Sequence, residues 1–519
     1  MTRFLRPVTL FFVGLWLVLL VGGRSRFFHD PGTFWHVAVG DRIIAEGFFD
    51  TDPYTFTFAG EPWIPHQWLG ECAMSVVHAA AGFDGLLLAT ATLLAAVYAG
   101  LGLRLLRSGL HFSLAAVVVA GALAASSGHF HVRPHLATIA GMAVVFVFLT
   151  DVENGRIDLN RLWWLVPVVW LWSNVHGGVL GGLATIAIAA VGWTLAWFVG
   201  RESPVTGWGD IGRLALVGVA SAAACIANPY FYHLPLSWVE IYQMSSLPNI
   251  IKEHSPVNVG EWSGISIVAF GVVYCLLLVT VPVRRIRVVW LLPVIWFALA
   301  CMRVRHAPLF AVGALVGIAD FFQYTRLAAS LVRRKSDLFD PDRFDDDESP
   351  RQSLLPFAIP AGLVAVAFVI QVVGWPVPVL GRGWAILDAR IWPVELLPEL
   401  REHQYDRPRG TRIFNEYAYG GILIQQTPGY RVFIDDRCEL FGDEFLTRFV
   451  DVKRKIEGGE FEHPGEPIAE WQAEYGTFDL ALVETAGGFD EAFSTLPGWQ
   501  VIRRTATATL YKRTGLTVR

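Results

Sequence analysis

The sequence is poor in charge: only 17% of its 519 residues are Asp, Glu, Lys or Arg, while 54% are hydrophobic. A soluble globular protein carries about a quarter charged residues, so a simple soluble domain is excluded. Cysteine is scarce as well. Cys72, Cys225, Cys275, Cys301 and Cys438 stand far apart, without a CxxC pair or a Cys/His ligand spacing, which excludes a zinc knuckle and a disulfide-built scaffold. Three of the five lie in apolar runs and read as core residues; Cys72 and Cys438 are the pair open to a bridge. The net charge of −5 is small for this length, and nothing in it points to a nucleic-acid partner. No internal repeat is recognisable.

What the chain has in abundance is apolar sequence. Runs long enough to cross a bilayer of roughly 30 Å, about 17–25 residues each, fall near 7–23, 84–103, 112–128, 134–150, 162–174, 178–199, 211–227, 262–283, 286–302, 306–324 and 353–375. The 162–174 run is short and spans only with an interrupted neighbour or a helix that reaches past Asn174. The first run follows a basic start but leads into RSRFF rather than a small-residue cleavage site, so it reads as a retained span. The expected fold is an α-helical polytopic membrane protein of about eleven transmembrane helices, residues 1–375. A mixed α/β domain, 376–519, follows it.

Lys/Arg counting orients the chain, because cytoplasmic connections are enriched in both. With the N-terminus inside, the inside set is Arg3, Arg6, Arg104, Arg107, Arg156, Arg161, Arg201, Arg213, Arg284, Arg285, Arg287, Arg326, Arg333, Arg334, Lys335, Arg343 and Arg351, seventeen in all. The short outside connections hold seven: Arg24, Arg26, Arg42, Arg133, Lys252, Arg303 and Arg305. The expected location is the cytoplasmic (inner) membrane, with the first loop (24–83) and the C-terminal domain extracytoplasmic and the 325–352 loop cytoplasmic. That loop turns from basic (RRK) to acidic (DLFDPDRFDDDES) and reads as a disordered linker.

The first outer loop concentrates ionisable residues among aromatics. Phe27, Phe28, Phe34, Trp35, Trp63 and Trp68 suit a headgroup zone. Thr33 to Gly47 has the apolar spacing of an interfacial helix capped by Thr33, and a second helix is expected from Gln67 to Ala81, stopped by Gly82. In the C-terminal domain RIFNEY, GGILIQ, YRVFIDD, FDLALVE, WQVIRRT and ATLYKR read as strands, the last two as a hairpin. Glu444 to Ile456 and Pro467 to Tyr475 read as helices, and Tyr419-Gly420-Gly421 as a tight turn.

Ionisable groups set against apolar spans are expensive and mark candidate sites. Asp30 reads either as a turn or cap carboxylate or as a general base. His29, His36, His66 and Glu71 accompany it, and these three histidines lack the HxxxH or HExxH spacing of a zinc site, so no metal ligands are assigned. Further outer connections add Arg133, Asn174, His176, Arg303, Arg305 and His306, the arginines being suited to phosphate because guanidinium stays charged and binds it bidentately. Asp435, Asp436 and Arg437 end a strand and read equally as an acceptor-binding group or an internal salt bridge.

The first-loop pattern D-P-x-T-x-W-H-x-x-x-G-x-x-I-x-x-x-G, then D-P-x-[ST]-[FY]-T and G-x-x-W-x-x-H-x-W-L-x-E, with N-x-H-G-G and R-x-R-[HN]-x-P-L later, resembles bacterial multi-span proteins of the GT-C glycosyltransferase superfamily. The segment NEYAYGGILIQ…YRVFIDDR is similar to the outer domain such proteins carry. The resemblance implies transfer of a sugar from a polyprenyl-phosphate donor to a glycan, lipid or protein acceptor at the outer membrane face, with Asp30 at the position of the catalytic base. It leaves a divalent cation open as a cofactor. Many members carry two acidic residues close together; here the sequence is His29-Asp30-Pro31. A lipid-linked saccharide transporter or flippase and a non-catalytic membrane scaffold are the rival expectations; the first is weakened by the lack of paired interrupted helices in two matching halves, and in the second the polar groups of the outer loops need not face one cavity.

Overall fold

The computed structural model describes residues 7–245, 247–250, 252–342, 355–406 and 408–514. A helix lies over each of the eleven apolar runs, beginning with α1 (Pro7–Gly22). Among the described residues six helices are long and apolar enough to cross a membrane, and Pro7–Gly22, Val288–Met302 and Phe357–Val373 are shorter apolar helices. In hydrocarbon the backbone must satisfy its own hydrogen bonds, so runs rich in Leu, Val and Ala resolve into helices. The chain is a multi-pass membrane protein of mostly helical architecture with a small C-terminal mixed sheet. The short 162–174 run is lengthened by a 3-10 turn, Leu159–Trp164, ahead of Leu165–Val175.

The connections sort into two groups at opposite ends of the bundle. At one end Arg104 pairs with Asp151 at 2.5 Å, Asp151 with Arg156 at 2.9 Å, and Arg156 with Asp320 at 2.5 Å. The 325–352 loop belongs to this end and is ordered in its first half: Arg326–Arg333 is a helix capped by Thr325, and Leu338 accepts from His111 N–H with Phe339 buried beside it. The expectation of a disordered linker is therefore corrected for 326–342, where an amphipathic turn finds a face of the bundle to cover; its acidic remainder lies outside the described residues.

The other end carries the first loop and the sheet. Helix α2 (Gly32–Glu46) begins one residue before the expected cap, with Pro31 at the N-cap position, while Thr33 Oγ1 donates to the Val132 carbonyl at 2.9 Å. Nor is it interfacial. Phe34, Trp35, Val37 and Val39 are buried, as are Phe27, Phe28 and Trp63, because α2 lies between the bundle and the C-terminal region rather than on lipid. Helix α3 (Trp68–Arg107) joins the expected loop helix to the next span across a break at Gly82, whose φ of 64° is open to glycine.

The sheet has the order β2-β1-β3-β5-β4, with β1 Thr411–Asn415, β2 Tyr430–Val432, β3 Leu480–Glu484, β4 Trp499–Arg504 and β5 Ala508–Arg513. β1 is parallel to β2 and β3, and β4 and β5 form the expected antiparallel hairpin. GGILIQ is a helix, Gly420–Gln426, not a strand, and Tyr419-Gly420-Gly421 runs from a 3-10 turn into it rather than making a hairpin. Parallel neighbours require a crossover, and this helix supplies it. The expected helices span Cys438–Glu457, interrupted at Gly442, and Glu466–Tyr475. Phe414, Phe433, Phe449, Trp471, Phe478 and Phe489 pack face and edge between sheet and helices.

The first loop completes this sheet. Phe56 N–H donates to the Val432 carbonyl and Val432 N–H to the Tyr54 carbonyl, both at 3.1 Å, covering the edge of β2. All five cysteines are unpaired.

Candidate active site

The chain between α1 and α2 turns sharply at Asp30. Its Oδ1 accepts from Gly32 N–H at 2.8 Å, fixing the turn, and its Oδ2 accepts from Arg133 Nη1 at 2.9 Å. Gly32 is required here: a Cβ would stand 2.8 Å from Asp30 Oδ1 and 3.0 Å from Arg133 Nε. Asp30 and Arg133 side chains are only 10% and 22% exposed.

Arg133 belongs to the connection 127–135, which brings three histidines with it. Glu253, from the 252–254 turn, lies 3.0 Å from His129 Nδ1 and 3.9 Å from His131 Nε2. Burial works against the Glu253 carboxylate, but His129 and Arg133 overcome it and hold its pKa well below the usual range. Asp30, His131 and Glu253 each offer a ligand atom within 4.8 Å of the other two. Two carboxylates and an imidazole form a donor set that fits a divalent cation. No metal ligands were expected from the sequence; His131 and the IIKEHSP segment that holds Glu253 read only as polar outer connections, and a spacing of more than a hundred residues does not reveal that they meet.

The C-terminal region adds a further acid. Asp436 is half-buried beside Trp35 and Arg133, and desolvation, with the nearby charge of Asp30, raises its carboxyl to about 8. Its neighbours in sequence are occupied otherwise. Arg437, fully buried, donates to Asp435 Oδ2 at 2.6 Å and lies 2.8 Å from Asp52 Oδ1, with its guanidinium over the rings of Trp63 and Tyr54. Of the expected trio, Asp435 and Arg437 thus form the internal salt bridge, which ties the sheet to the first loop, and Asp436 alone faces Asp30.

The other expected residues divide between the cluster and its supports. His176 Nδ1 accepts from Gly178 N–H at 2.9 Å and lies 2.8 Å from Thr138 Oγ1, and its ring is 6.2 Å from that of His135. Burial, with Arg305 and Arg133 nearby, keeps its pKa well below 6.5. Arg305 Nη1 donates to His254 Nε2. His306 packs against Trp296. Arg303 lies over Tyr242, 5.8 Å from its ring centre, at the edge of the group. His29 is next to Asp388 and Arg390. Asn174 is consumed within the bundle, accepting from Trp68 Nε1 at 2.9 Å and donating to the Trp170 carbonyl at 2.7 Å. His66 Nε2 meets Gln67, and its Nδ1 is 3.5 Å from Glu439.

His36 and Glu71 face each other at 3.0 Å, both fully buried, and join α2 to α3. Burial first, then Arg133, holds the His36 imidazole well below 6.5. A depressed folded pKa contributes stability that is present above the unfolded value and is lost as pH falls through the folded one. His36→Gln removes that titration, so the variant loses less stability than the wild type between pH 7 and pH 5, by up to about 1.4 kcal/mol for each unit below 6.5. Denaturation midpoints of both proteins across this range check it; parallel curves refute it.

A second property unites the cluster. His29 Nε2, His36 Nε2, His131 Nδ1, Arg133 Nε, His135 Nδ1, His254 Nδ1 and Asp436 Oδ1 are buried with no hydrogen-bond partner among the described residues. Each such atom costs about 1–3 kcal/mol in a dry interior, so a group of them marks a place that is completed by water, an ion or a ligand. Trp392 Nε1 donates to the Phe28 carbonyl at 2.8 Å, which ties the segment ahead of the sheet to the first loop beside this group.

The sequence matches no protein-family model and no curated protein. Solved structures nevertheless share its fold. The oligosaccharyltransferase of Archaeoglobus fulgidus in its apo form is similar with a TM-score of 0.51 at 11% identity, over 93% of this chain and 70% of that one. AglB of the same organism, in complex with an inhibitory peptide and a dolichol-phosphate, gives 0.50 at 12% identity over 92% and 69%. ArnT of Cupriavidus metallidurans in the apo state gives 0.50 at 15% identity over 96% of both chains. The chain shares the fold of these proteins.

Proposed function

We propose that the chain is a membrane glycosyltransferase that moves a sugar from a polyprenyl-phosphate donor to an acceptor at the outer face of the cytoplasmic membrane, with Asp30 as the general base. The observation that carries this reading is the Asp30–Arg133 pair inside a group of partnerless buried polar atoms, at the end of the bundle where the sheet sits. The shared fold supports it, one of the similar structures being bound to a dolichol-phosphate.

The chemistry needs few parts. Asp30 Oδ2 takes the proton of the acceptor hydroxyl as its oxygen attacks the anomeric carbon, and the bond from that carbon to the phosphate oxygen breaks with its electron pair leaving on the phosphate. A phosphate leaves without a general acid if cations receive its charge. Arg133 and Arg305 are those cations, and Arg303 meets the phosphate at the rim. A divalent cation, held by Asp30, His131 and Glu253, would add Lewis-acid stabilisation of the phosphate oxygens. Asp436 closes the cluster from the sheet side and, with its carboxyl neutral below about 8, offers an O–H donor without repelling the donor phosphate.

Deletion of the gene is expected to remove one glycan modification from the envelope and to accumulate the corresponding polyprenyl-phosphate sugar in membranes. Mass spectrometry of envelope glycans and lipid extracts checks it. Unchanged glycans and unchanged lipid-linked sugars refute the reading.

A further inference from the structure

A cavity in the C-terminal region has none of the Asp30 cluster in its lining, and the sheet topology explains where it lies. β1 passes its chain to β2 on one side, while its other neighbour, β3, passes its chain to β4 and β5 on the opposite side. Where adjacent parallel strands send their connections in opposite directions, the loops part at the strands' carboxyl ends and leave a crevice, and ligands of open α/β sheets bind there. In this protein the crevice is a cavity of about 510 Å³, within the range of about 300–1,000 Å³ of small-molecule sites.

Its walls are built for hydrogen bonding. Glu416 and Tyr417 follow β1, Glu484 and Thr485 end β3, and Lys453 reaches in from the Cys438–Glu457 helix. Lys453 Nζ donates to Glu416 Oε2 at 3.2 Å and to Glu484 Oε2 at 2.9 Å. Glu416 is buried, whereas Glu484 remains 57% exposed. Acceptor, donor and acceptor thus alternate along one wall, beside aromatic surface from Tyr417. An apolar ligand would strand three charges. A phosphate would meet two carboxylates for one ammonium. Vicinal hydroxyls, each able to donate and accept, match the sequence of groups.

One wall of the cavity is tied to the loop that carries the candidate base. Arg390 and Ile391 form its far wall, and this segment is fixed to the first loop through the Trp392 bond to Phe28, with His29 next to Arg390.

From this geometry we propose that the crevice is the acceptor site and that the acceptor is a hydroxyl-rich saccharide. The inference rests on the transfer reading and narrows its acceptor class. It is tested without donor, so it stands or falls separately from transfer. Full-length protein in lipid nanodiscs, fluorescently labelled, is applied to a printed array of bacterial envelope oligosaccharides and, in parallel, of peptides. Binding to saccharide features is expected. Ala506→Trp places a ring into the crevice from an exposed turn between β4 and β5 and should weaken binding at least tenfold, and Glu484→Gln three- to tenfold, with unfolding midpoints unchanged. Absence of saccharide binding, binding to peptides alone, or full binding by folded Ala506→Trp overturns it.

Discussion

Asp30→Asn is expected to leave the protein folded and to lower sugar transfer by about 10²–10⁴-fold, the contribution of a positioned general base. The asparagine Oδ1 can still accept from Gly32 N–H, so the turn that starts α2 survives. Arg133 loses one carboxylate but keeps the charged Glu253 nearby, so it is not left without compensating charge. What disappears is the oxygen lone pair that takes the acceptor proton. Asp30→Glu keeps the charge but carries the carboxylate one methylene further and gives up the bond to Gly32; it should retain more activity than asparagine and less than the wild type. The measurement is release of polyprenyl phosphate from a defined donor by protein reconstituted in vesicles. Wild-type turnover by the asparagine variant would remove Asp30 from the base role and leave it as a structural partner of Arg133.

How much of this was legible in the sequence depends on the range of the interaction. Each apolar run became a helix because hydrocarbon leaves the backbone no other partner, and the break at Gly82 was readable from one residue. The β4–β5 hairpin was equally local. Gly420–Gln426 was misread because GGILIQ has the composition of a buried strand, and only the parallel pairing of β1 with β2 demands a helix between them. The first-loop aromatics were placed in a headgroup zone because their spacing does not reveal that a sheet from the far end of the chain covers them. The same limit applied to the site. Asp30 and Arg133 drew attention as charges beside apolar spans, yet their contact, the approach of His131 and Glu253, and the separation of Asp436 from Asp435 and Arg437 are tertiary facts.

Arg437→Met is expected to destabilise the protein by about 3–5 kcal/mol, the usual cost of removing one member of a buried ionic group. Asp52, Asp435 and Arg437 side chains are all fully covered, so the substitution leaves two carboxylates in the interior facing each other without a cation. Asp52 has further partners, accepting from Thr55 N–H at 2.9 Å and from Thr55 Oγ1 at 2.5 Å, and these are too few to neutralise both acids. The triple variant Asp52→Asn, Asp435→Asn, Arg437→Met should lose markedly less stability than Arg437→Met alone, because exchanging a whole buried ionic group for neutral side chains avoids the stranded charge. Chemical denaturation in detergent, followed by tryptophan fluorescence, measures both. The functional consequence follows from position. Arg437 bonds the first loop to the strand end that carries Asp436, so the triple variant, though more stable than Arg437→Met, should still transfer sugar more slowly than the wild type, because the tie that sets Asp436 over Asp30 is gone. Equal stability losses in the single and triple variants would show that packing around Trp63 and Tyr54, rather than charge, holds the two segments together.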